Sequence, residues 1–326
     1  MPKPLKSGDI LRSRYKIKRV IGQGGMGSIY LADDMRLKGR QCALKEVEHD
    51  YSLDKNLLAE ARKQFLQEAT ILARLDHPNL PKVSDFFSIK DRDYLVMDYI
   101  PGDDLRTLML KAKHQGKFLS EKEIRKWANQ LADALIYLHS QNPPILHRDI
   151  KPSNLKLTPN GLLKLVDFGL VKILAPGEMT VTIIHGQGTA LYTPIEQYGG
   201  DSSHTDVRSD IYSFGATLYH LLTNTPPSDA RERFIRQDVQ KSPREINPKI
   251  SIQMDRAVQW AMNLHPDERP QSMTQLKDFF TGKSNVIESP MQNDFTFLEI
   301  ISKQKIKPLA MVAAAITIIG LIIVLI

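Results

Sequence analysis

The first hundred residues alternate short apolar stretches with turn residues. Four stretches are rich in the β-branched and aromatic residues that favour strands: YKIKRVI (15–21), SIYLAD (28–33), QCALKEV (41–47) and YLVMD (94–98). Between Leu57 and Leu75, apolar residues instead recur at helical spacing with charges between them. The pattern therefore predicts a β-rich part that is interrupted by one helix.

From about Leu105 onward the pattern becomes helical. In the clearest helix, Leu119 to Ser140, Ser120 and Glu123 form a capping-box pattern. One face of this helix carries apolar residues at helical spacing, which we interpret as core: Ile124, Trp127, Ala128, Leu131, Leu135 and Leu138. The chain is thus predicted to be an α+β protein with a small β-rich lobe, a larger helical lobe and a join near residues 98–104. A cleft between two such lobes is a natural ligand site.

The last stretch, Leu309 to Ile326, runs 18 residues without a charge. At a rise of about 1.5 Å per residue it would extend roughly 27 Å, close to the hydrocarbon thickness of a bilayer. This predicts a single transmembrane helix, with a buried core helix as the alternative. The basic residues just before it place its N-terminal side in the cytoplasm by the positive-inside rule: Lys303, Lys305 and Lys307. Because the sequence stops at Ile326, we expect no extracytoplasmic sensor in it, and tail-anchored and truncated forms both stay open.

Composition narrows the class of protein. A chain of 326 residues with 42% hydrophobic and 25% charged residues is globular material, which excludes disorder throughout. The net charge of +7 is partly local to the two ends, and no motif of a nucleic-acid reader accompanies it, so no nucleic-acid partner is expected. The only cysteine, Cys42, cannot form an internal disulfide, and no signal peptide precedes it, which indicates a reducing cytoplasm.

A glycine-rich turn, GQGGMG, lies between the first two predicted strands. Gly22, Gly24 and Gly27 stand where the backbone could approach a phosphate without interference from a Cβ atom. The same spacing occurs in dinucleotide-binding folds, but there it opens a helix, and a plain hairpin turn is the other alternative. Lys45 follows on the next strand, where its ammonium could reach the α and β phosphates of a nucleotide.

A lysine in a partly buried cleft needs a counter-charge. Glu68, within the predicted helix, can supply it and is favoured because it belongs to the face that would press the helix onto the cleft. Glu60, two turns earlier, is the competing candidate.

The most specific text is LHRDIKPSN (146–154) followed by VDFG (166–169). Each residue taken alone could be a turn or a cap, but the ordered set fits the H-R-D-x-x-x-x-N and D-F-G pattern. Asp149 could orient a substrate hydroxyl and Lys151 could neutralise charge on a transferring phosphoryl group. Asn154 and Asp167 offer hard oxygen ligands that suit Mg²⁺.

With these motifs, the chain resembles the eukaryotic-like (Hanks-type) Ser/Thr protein kinases, most closely their bacterial membrane-attached members, over residues 8–281. The resemblance implies the bilobal protein kinase fold, ATP and Mg²⁺, with Mn²⁺ as a substitute metal. It also implies that Met97 is the gatekeeper and that Asp98 to Ile100 form the hinge. The other residues expected around the adenine and ribose are Val20, Ile21, Ile29, Ala43 and Asp104.

The resemblance extends to the residues that shape the active site. It implies that Asp210 braces the catalytic loop and that Arg269 pairs with Glu196, although the usual A-P-E reads Pro194, Ile195 and Glu196 here. Thr189 matches the threonine that faces the catalytic loop. Arg148 could pair with a phosphate on Thr180 or Thr182.

The sequence therefore predicts a non-specific Ser/Thr protein kinase that acts on proteins, is single-pass in the cell membrane and has a cytoplasmic kinase domain. Its predicted parts are an N-lobe (8–97), a hinge (98–104), a C-lobe (105–281), a juxtamembrane linker (282–308) and a transmembrane helix (309–326). A homodimer for autophosphorylation in trans is a further expectation. A pseudokinase scaffold and a small-molecule kinase of related fold are the rival readings.

Overall fold

The predicted strands form one antiparallel sheet in the computed structural model, which describes residues 4–24, 27–48, 55–90, 92–167, 190–198, 205–236 and 238–284. The strand order is β1-β2-β3-β4-β6-β5. The strands are β1 (Ile10–Leu11), β2 (Tyr15–Gly24), β3 (Gly27–Asp34), β4 (Gln41–Glu48), β5 (Val83–Ile89) and β6 (Arg92–Asp98). All four predicted strands are confirmed, whereas β1 and β5 were not predicted.

The two faces of this sheet have different neighbours. Residues paired across antiparallel strands share a face, and the pairing Tyr30–Leu44–Val96 runs through a buried cluster that also holds Tyr15 and Tyr94. The opposite face carries the alternate residues, among them Ala43 and Lys45, and it borders the cleft because Lys45 contacts Asp167 of the other lobe.

The predicted helix of the β-rich lobe is α1 (Lys55–Arg74). It packs against β5, and Phe65, Ala69 and Leu72 are buried along one side of it. This side lies at the i, i+4, i+7 spacing that the sequence showed, so the helix brings Glu68 inward with its apolar residues.

The second lobe is mostly helical. Its helices are α2 (Leu105–His114), α3 (Glu121–His139), α4 (Val207–Thr223), α5 (Ala230–Ile235), α6 (Pro243–Ile246), α7 (Ile252–Ala261) and α8 (Met273–Thr281). Short 3₁₀ turns cover Pro152–Asn154, Ile195–Gln197 and Pro266–Glu268. Helix α4 is buried nearly all round and contacts α2, α3, α7 and α8, so it forms the centre of this lobe.

Helix α3 matches the predicted amphipathic helix, and all six residues of its predicted core face are buried. Ser120 caps it by accepting a hydrogen bond from the backbone N–H of Glu123 at 3.3 Å. The Glu123 carboxylate accepts from the Ser120 hydroxyl at 2.6 Å, so only the serine half of the predicted capping box is formed.

A tight turn joins the two lobes at Pro101–Asp104. Gly102 has φ of +111°, and a Cβ atom there would stand 2.1 Å from the carbonyl oxygen of Leu157. Leu157 belongs to a small hairpin of β7 (Leu155–Leu157) and β8 (Leu163–Leu165), and its N–H donates to Asp103 O at 2.9 Å. Glycine is therefore required for the linker to lie against the hairpin that follows the catalytic loop.

Backbone contacts divide the chain into Met1–Asn285 and Val286–Ile326. In the part of the first unit that the structure describes, no helix has the length and apolarity needed to cross a bilayer. The predicted transmembrane segment, 309–326, lies outside the described residues.

Candidate active site

The glycine-rich segment forms the tip of the β2–β3 hairpin. Gly22 pairs with Ile29 and Gly24 pairs with Gly27, whose φ is +124°. A Cβ atom on Gly22 would already touch the Ile29 side chain at 3.4 Å. Because a strand follows the turn, the dinucleotide-binding alternative is excluded.

The register shows which predicted adenine-site residues share the cleft face. Ile29 pairs with Lys45 and Ala43 pairs with Met97, so these four lie on the same side of the sheet. Val20 pairs with Tyr30, on the opposite face, because a bulge between Val20 and Gly22 shifts the register. The structure therefore does not bring Val20 to the cleft face.

The hinge residues continue from β6 into the linker. The backbone N–H of Asp98 donates to Lys82 O at 3.0 Å, so this N–H is already engaged within the β-rich lobe. Ile100 is buried. Asp104 caps α2 by accepting from the backbone N–H of Thr107 at 2.8 Å, so only its other carboxylate oxygen remains for a ribose.

The ammonium of Lys45 lies 2.5 Å from a carboxylate oxygen of Asp167. Burial acts to raise the pKa of Asp167, but the charge and hydrogen bond of Lys45 lower it below its usual value. Glu68 is buried and lines a small pocket together with Lys45, Phe65 and Leu95, consistent with its place on the inward side of α1. The side chain of Glu60 lies outside the described residues.

Two polar residues of the catalytic loop, Lys151 and Asn154, contact Asp149. Lys151 Nζ lies 2.8 Å from Asp149 Oδ1, and Asn154 Nδ2 donates to both Oδ2 and the backbone carbonyl of Asp149, each at 2.8 Å. Both N–H groups of Asn154 are thus engaged, so its amide oxygen is the atom left for a metal ion. The Asp149 carboxylate is therefore held by one ammonium donor and one amide donor. The sequence predicts that this carboxylate orients the substrate hydroxyl.

Asp210 supports this loop from α4. Its carboxylate accepts from the backbone N–H groups of His147 at 2.9 Å and Arg148 at 2.8 Å, and it lies 3.0 Å from His139 Nε2. Burial acts to raise the pKa of Asp210, but the hydrogen bond and charge of His139 and the contacts to His147 lower it. Arg148 has φ of +61°, so these two bonds hold a backbone turn that is unfavourable for a non-glycine residue.

A buried ion pair closes the segment that ends at Glu196. Arg269 is fully buried and donates two parallel hydrogen bonds to Glu196, at 2.7 and 2.9 Å. The hydroxyl of Ser209 donates to the same carboxylate at 2.8 Å. The departure from A-P-E, with Pro194 in place of alanine and Ile195 in place of proline, therefore coexists with a complete bidentate pair.

The rest of the activation segment, residues 168–189, lies outside the described residues, and with it Phe168, Gly169, Thr180, Thr182 and Thr189. Arg148 belongs to the catalytic loop, and its guanidinium is largely buried. Among the described residues, its Nε and Nη1 atoms have no hydrogen-bond partner.

Three contributors were not predicted: His139, Ser209 and Gly102. His139 and Ser209 act through contacts that only the tertiary packing creates. Gly102 did carry a signal, since the Pro-Gly dipeptide before Asp103 is typical of a turn that needs positive φ.

The β-rich lobe, the helical lobe and the contacts described above define the two-lobed protein kinase fold. Lys45, Asp149, Lys151, Asn154 and Asp167 all lie in the cleft between its lobes. The protein kinase domain family matches residues 15–281, so this chain belongs to that family. A probable serine/threonine-protein kinase of Streptomyces coelicolor is 36% identical over 277 residues, which cover 82% of this chain and 39% of that protein. The serine/threonine-protein kinase PknB of Mycobacterium leprae is 30% identical, with 82% and 42% covered.

The chain is also similar to a solved structure of a kinase domain. The PknI kinase domain of Mycobacterium tuberculosis is 26% identical and superposes with a TM-score of 0.64, covering 86% of this chain and all of that domain. The chain spans about two fifths of the length of the curated relatives it matches.

Proposed function

We propose that this protein is a Ser/Thr protein kinase that transfers the γ-phosphoryl group of ATP to serine and threonine hydroxyls of proteins. The observation that carries the proposal is the convergence of Lys151 and Asn154 on the carboxylate of Asp149, within one lobe-spanning cleft that also holds the Lys45–Asp167 pair. These are the positioned charges that phosphoryl transfer requires.

On the acceptor side, Asp149 accepts a hydrogen bond from the substrate hydroxyl and orients its oxygen toward the γ-phosphorus. Its carboxylate is held at 2.8 Å by Lys151 and by Asn154, so it needs no reorganisation when the hydroxyl arrives. As the hydroxyl oxygen bonds to phosphorus, its proton passes to Asp149 or to the phosphoryl oxygens, and the bond to the leaving ADP breaks. Lys151 then neutralises charge on the transferring group.

On the nucleotide side, the β2–β3 hairpin offers glycine backbone to the phosphates and Lys45 offers its ammonium to the α and β phosphates. Ile29, Ala43 and Met97 supply the apolar face for adenine, and the hinge at Asp98–Ile100 supplies backbone groups. Lys45 reaches Asp167 across the cleft, which links the nucleotide site of one lobe to the metal-site residue of the other.

The residues present fit Mg²⁺. Asn154 has its amide oxygen free of intramolecular donors, and Asp167 is kept ionised, so both offer hard oxygen atoms. Among the described residues, no group of three or more His, Cys, Asp or Glu side chains is placed to hold a metal ion. When bound, Mg²⁺ would be held by Asn154 and Asp167 and would neutralise negative charge on the phosphates.

Two rival classes make different demands. A pseudokinase scaffold has no need to keep Lys45, Asp149, Asn154 and Asp167 together, and this chain keeps all four. A small-molecule kinase has no need of a peptide-docking segment tied down by the Glu196–Arg269 pair. Lys151, two residues after Asp149, favours Ser/Thr over tyrosine as the acceptor.

The test is phosphate transfer from γ-labelled ATP with Mg²⁺ to one acidic and one basic generic protein, in parallel with an aminoglycoside and choline. We expect label on protein, recovered as phosphoserine and phosphothreonine after acid hydrolysis. Label on the small molecules alone, or none on any acceptor, would refute the proposal.

The activation segment is the proposed point of control. Arg148 carries a buried guanidinium with unsatisfied donors among the described residues, so a phosphate on Thr180 or Thr182 would give it charge-assisted hydrogen bonds. Burial lowers the pKa of Arg148, which expresses the cost of holding this charge without a counter-ion. Mass spectrometry of active protein should find phosphate there, and Thr180→Ala with Thr182→Ala should reduce activity.

Membrane attachment through residues 309–326 is also a proposal, supported by eighteen uncharged residues preceded by three lysines. The protein should pellet with membranes in the absence of detergent, and removal of residues 305–326 should release it. Equal pelleting of both forms would contradict the anchor.

A further inference from the structure

Helix α5 ends in the two most exposed large apolar side chains among the described residues. Ile235 is 79% exposed and Phe234 is 68% exposed, whereas the next in order, Ile252 of another helix, is 57% exposed. Phe234 and Ile235 are consecutive, so they form one apolar patch at the end of the helix. An apolar patch on a folded surface marks an interaction site more often than a single scattered apolar residue does.

Hydrogen bonds hold the rest of this helix to the helical lobe. Asp229 caps it by accepting from the backbone N–H of Arg231 at 2.8 Å. Arg233 Nη1 donates to the Tyr212 hydroxyl at 3.2 Å and to Met262 O at 2.9 Å, which ties the helix to the centre of the lobe. The apolar patch is thus presented by a fixed element, so a partner does not have to order it on binding.

A groove that is open to solvent adjoins the patch. Its volume is about 530 Å³, and its lining residues are Asp229, Arg231, Glu232, Ile235 and Arg236. Ile235 therefore lines the groove, whereas its neighbour Phe234 does not and projects beside it. The same surface offers both a protruding aromatic ring and a recess that can receive one.

The charged residues of the groove form two ion pairs. Arg231 lies 3.1 Å from Asp229, and Arg236 lies 2.8 Å from Glu232. These four residues carry no net charge, so they do not attract a nucleic acid or an anionic lipid surface. For the same reason, two copies of this groove can approach each other without charge repulsion.

The start of the helix contacts the end of the activation segment. The Tyr198 hydroxyl lies 3.1 Å from Asp229 Oδ2 and 2.9 Å from Ala190 O. The guanidinium of Arg231 lies over the Tyr198 ring, 4.3 Å from its centre. A partner bound at α5 would therefore sit on an element that is joined directly to the described end of the activation segment.

We infer that two copies of this chain associate about a two-fold axis through α5, with Phe234 of each copy seated in the groove of the other. A surface that carries a protruding group and a recess for it is self-complementary, as a two-fold contact between identical chains requires. The association brings the copies together for phosphorylation of one by the other, and only this consequence rests on the proposed kinase activity. The contact is small, so we expect a dissociation constant on the order of 10 to 100 µM.

The experiment is sedimentation equilibrium of the full chain in detergent, at concentrations below and above that dissociation constant. The wild type is compared with Phe234→Asp and with Phe234→Gln, which removes the ring without adding a charge. Phe118→Asp is the matched control, because Phe118 is also an exposed phenylalanine, at 41%, but lies outside α5. The initial rates of autophosphorylation and of phosphorylation of a generic protein are measured on the same samples.

The wild type and Phe118→Asp should dimerise alike, and both Phe234 variants should weaken the dimer by at least about 30-fold, because each dimer loses two aromatic anchors. The autophosphorylation rate per molecule should rise with concentration in the wild type and be lower in the Phe234 variants, with an unchanged rate on the generic protein. A monomeric wild type, or a dimer that is equally strong in both Phe234 variants, overturns the inference. A dimer that depends on Phe234 in a protein that phosphorylates nothing refutes the kinase proposal and leaves the interface standing.

Discussion

The ion pair between Glu196 and Arg269 is expected to contribute strongly to stability, because it is one of the few buried charge pairs whose geometry is complete. Both guanidinium nitrogens bond to the carboxylate, and neither side chain is appreciably exposed, at 7% for Glu196 and 0% for Arg269. Arg269 holds three further bonds, to the backbone carbonyls of Asn263, Arg208 and Leu264.

The magnitude follows from what each substitution leaves behind. Glu196→Gln leaves a buried guanidinium with its carbonyl partners but without a counter-charge, which should cost about 3 to 5 kcal/mol in free energy of unfolding. Arg269→Met leaves the Glu196 carboxylate with only the Ser209 hydroxyl, at a similar cost. The double variant leaves neither charge uncompensated, so it should be more stable than the sum of the two losses predicts, with a coupling of about 2 to 4 kcal/mol.

The assay is a double-mutant cycle from urea unfolding curves. The exposed i, i+4 pair of Glu232 and Arg236, at 2.8 Å, is the matched control and should give a coupling of at most about 0.5 kcal/mol. A coupling for Glu196 and Arg269 no larger than that of the control would refute the reasoning from burial and bidentate geometry.

Two further substitutions test the packing beside the active site. Folding lowers the pKa of His220 from 6.5 to about 4, so its contribution to stability is fully present above pH 6.5 and is lost as the pH falls toward 4. The wild type should therefore lose unfolding free energy between pH 7 and pH 4.5, and His220→Gln should reduce that loss by about 2 to 3 kcal/mol. Parallel profiles of unfolding free energy against pH for the two proteins would contradict this. Gly102→Ala should lower the free energy of unfolding by about 2 kcal/mol or more beyond the loss in Gly116→Ala. Both positions have positive φ, but of the two only Gly102 would bring its Cβ within 4 Å of another atom. Equal melting temperatures of the two variants would contradict this steric argument.

The parts of the fold that could be predicted are those in which local pattern and tertiary role agree. Helix α3 was predicted because its apolar residues keep one period over five turns, and β2 and β3 because their sequences contain the β-branched and aromatic residues that favour strands. Strand β5 was missed because its sequence, VSDFFSI, places Asp85 and two adjacent phenylalanines where alternation should be, and β1 is only two residues long.

The site shows the same division. The catalytic-loop residues lie within six positions of one another, so the sequence itself indicates that they are close in space: Asp149, Lys151 and Asn154. Val20 was expected beside the adenine from the resemblance alone, and the bulge between Val20 and Gly22, which pairs Val20 with Tyr30, carries no signal in the sequence. The contact of Tyr192 with His220 joins segments 28 residues apart that carry no shared motif, so only the packing of α4 could reveal it.

The kinase mechanism is tested most directly by the single-turnover rate of phosphate transfer in Asp149→Asn, beside Lys45→Ala and the control Asp133→Asn. Asp133 is a half-exposed carboxylate on α3 that pairs with Lys277 outside the cleft. We predict that transfer to protein falls by on the order of 10² to 10⁴ in Asp149→Asn and in Lys45→Ala, with unchanged circular dichroism, while Asp133→Asn keeps the wild-type rate. A near wild-type rate in Asp149→Asn would contradict the assignment of this chain as a kinase that works through that carboxylate.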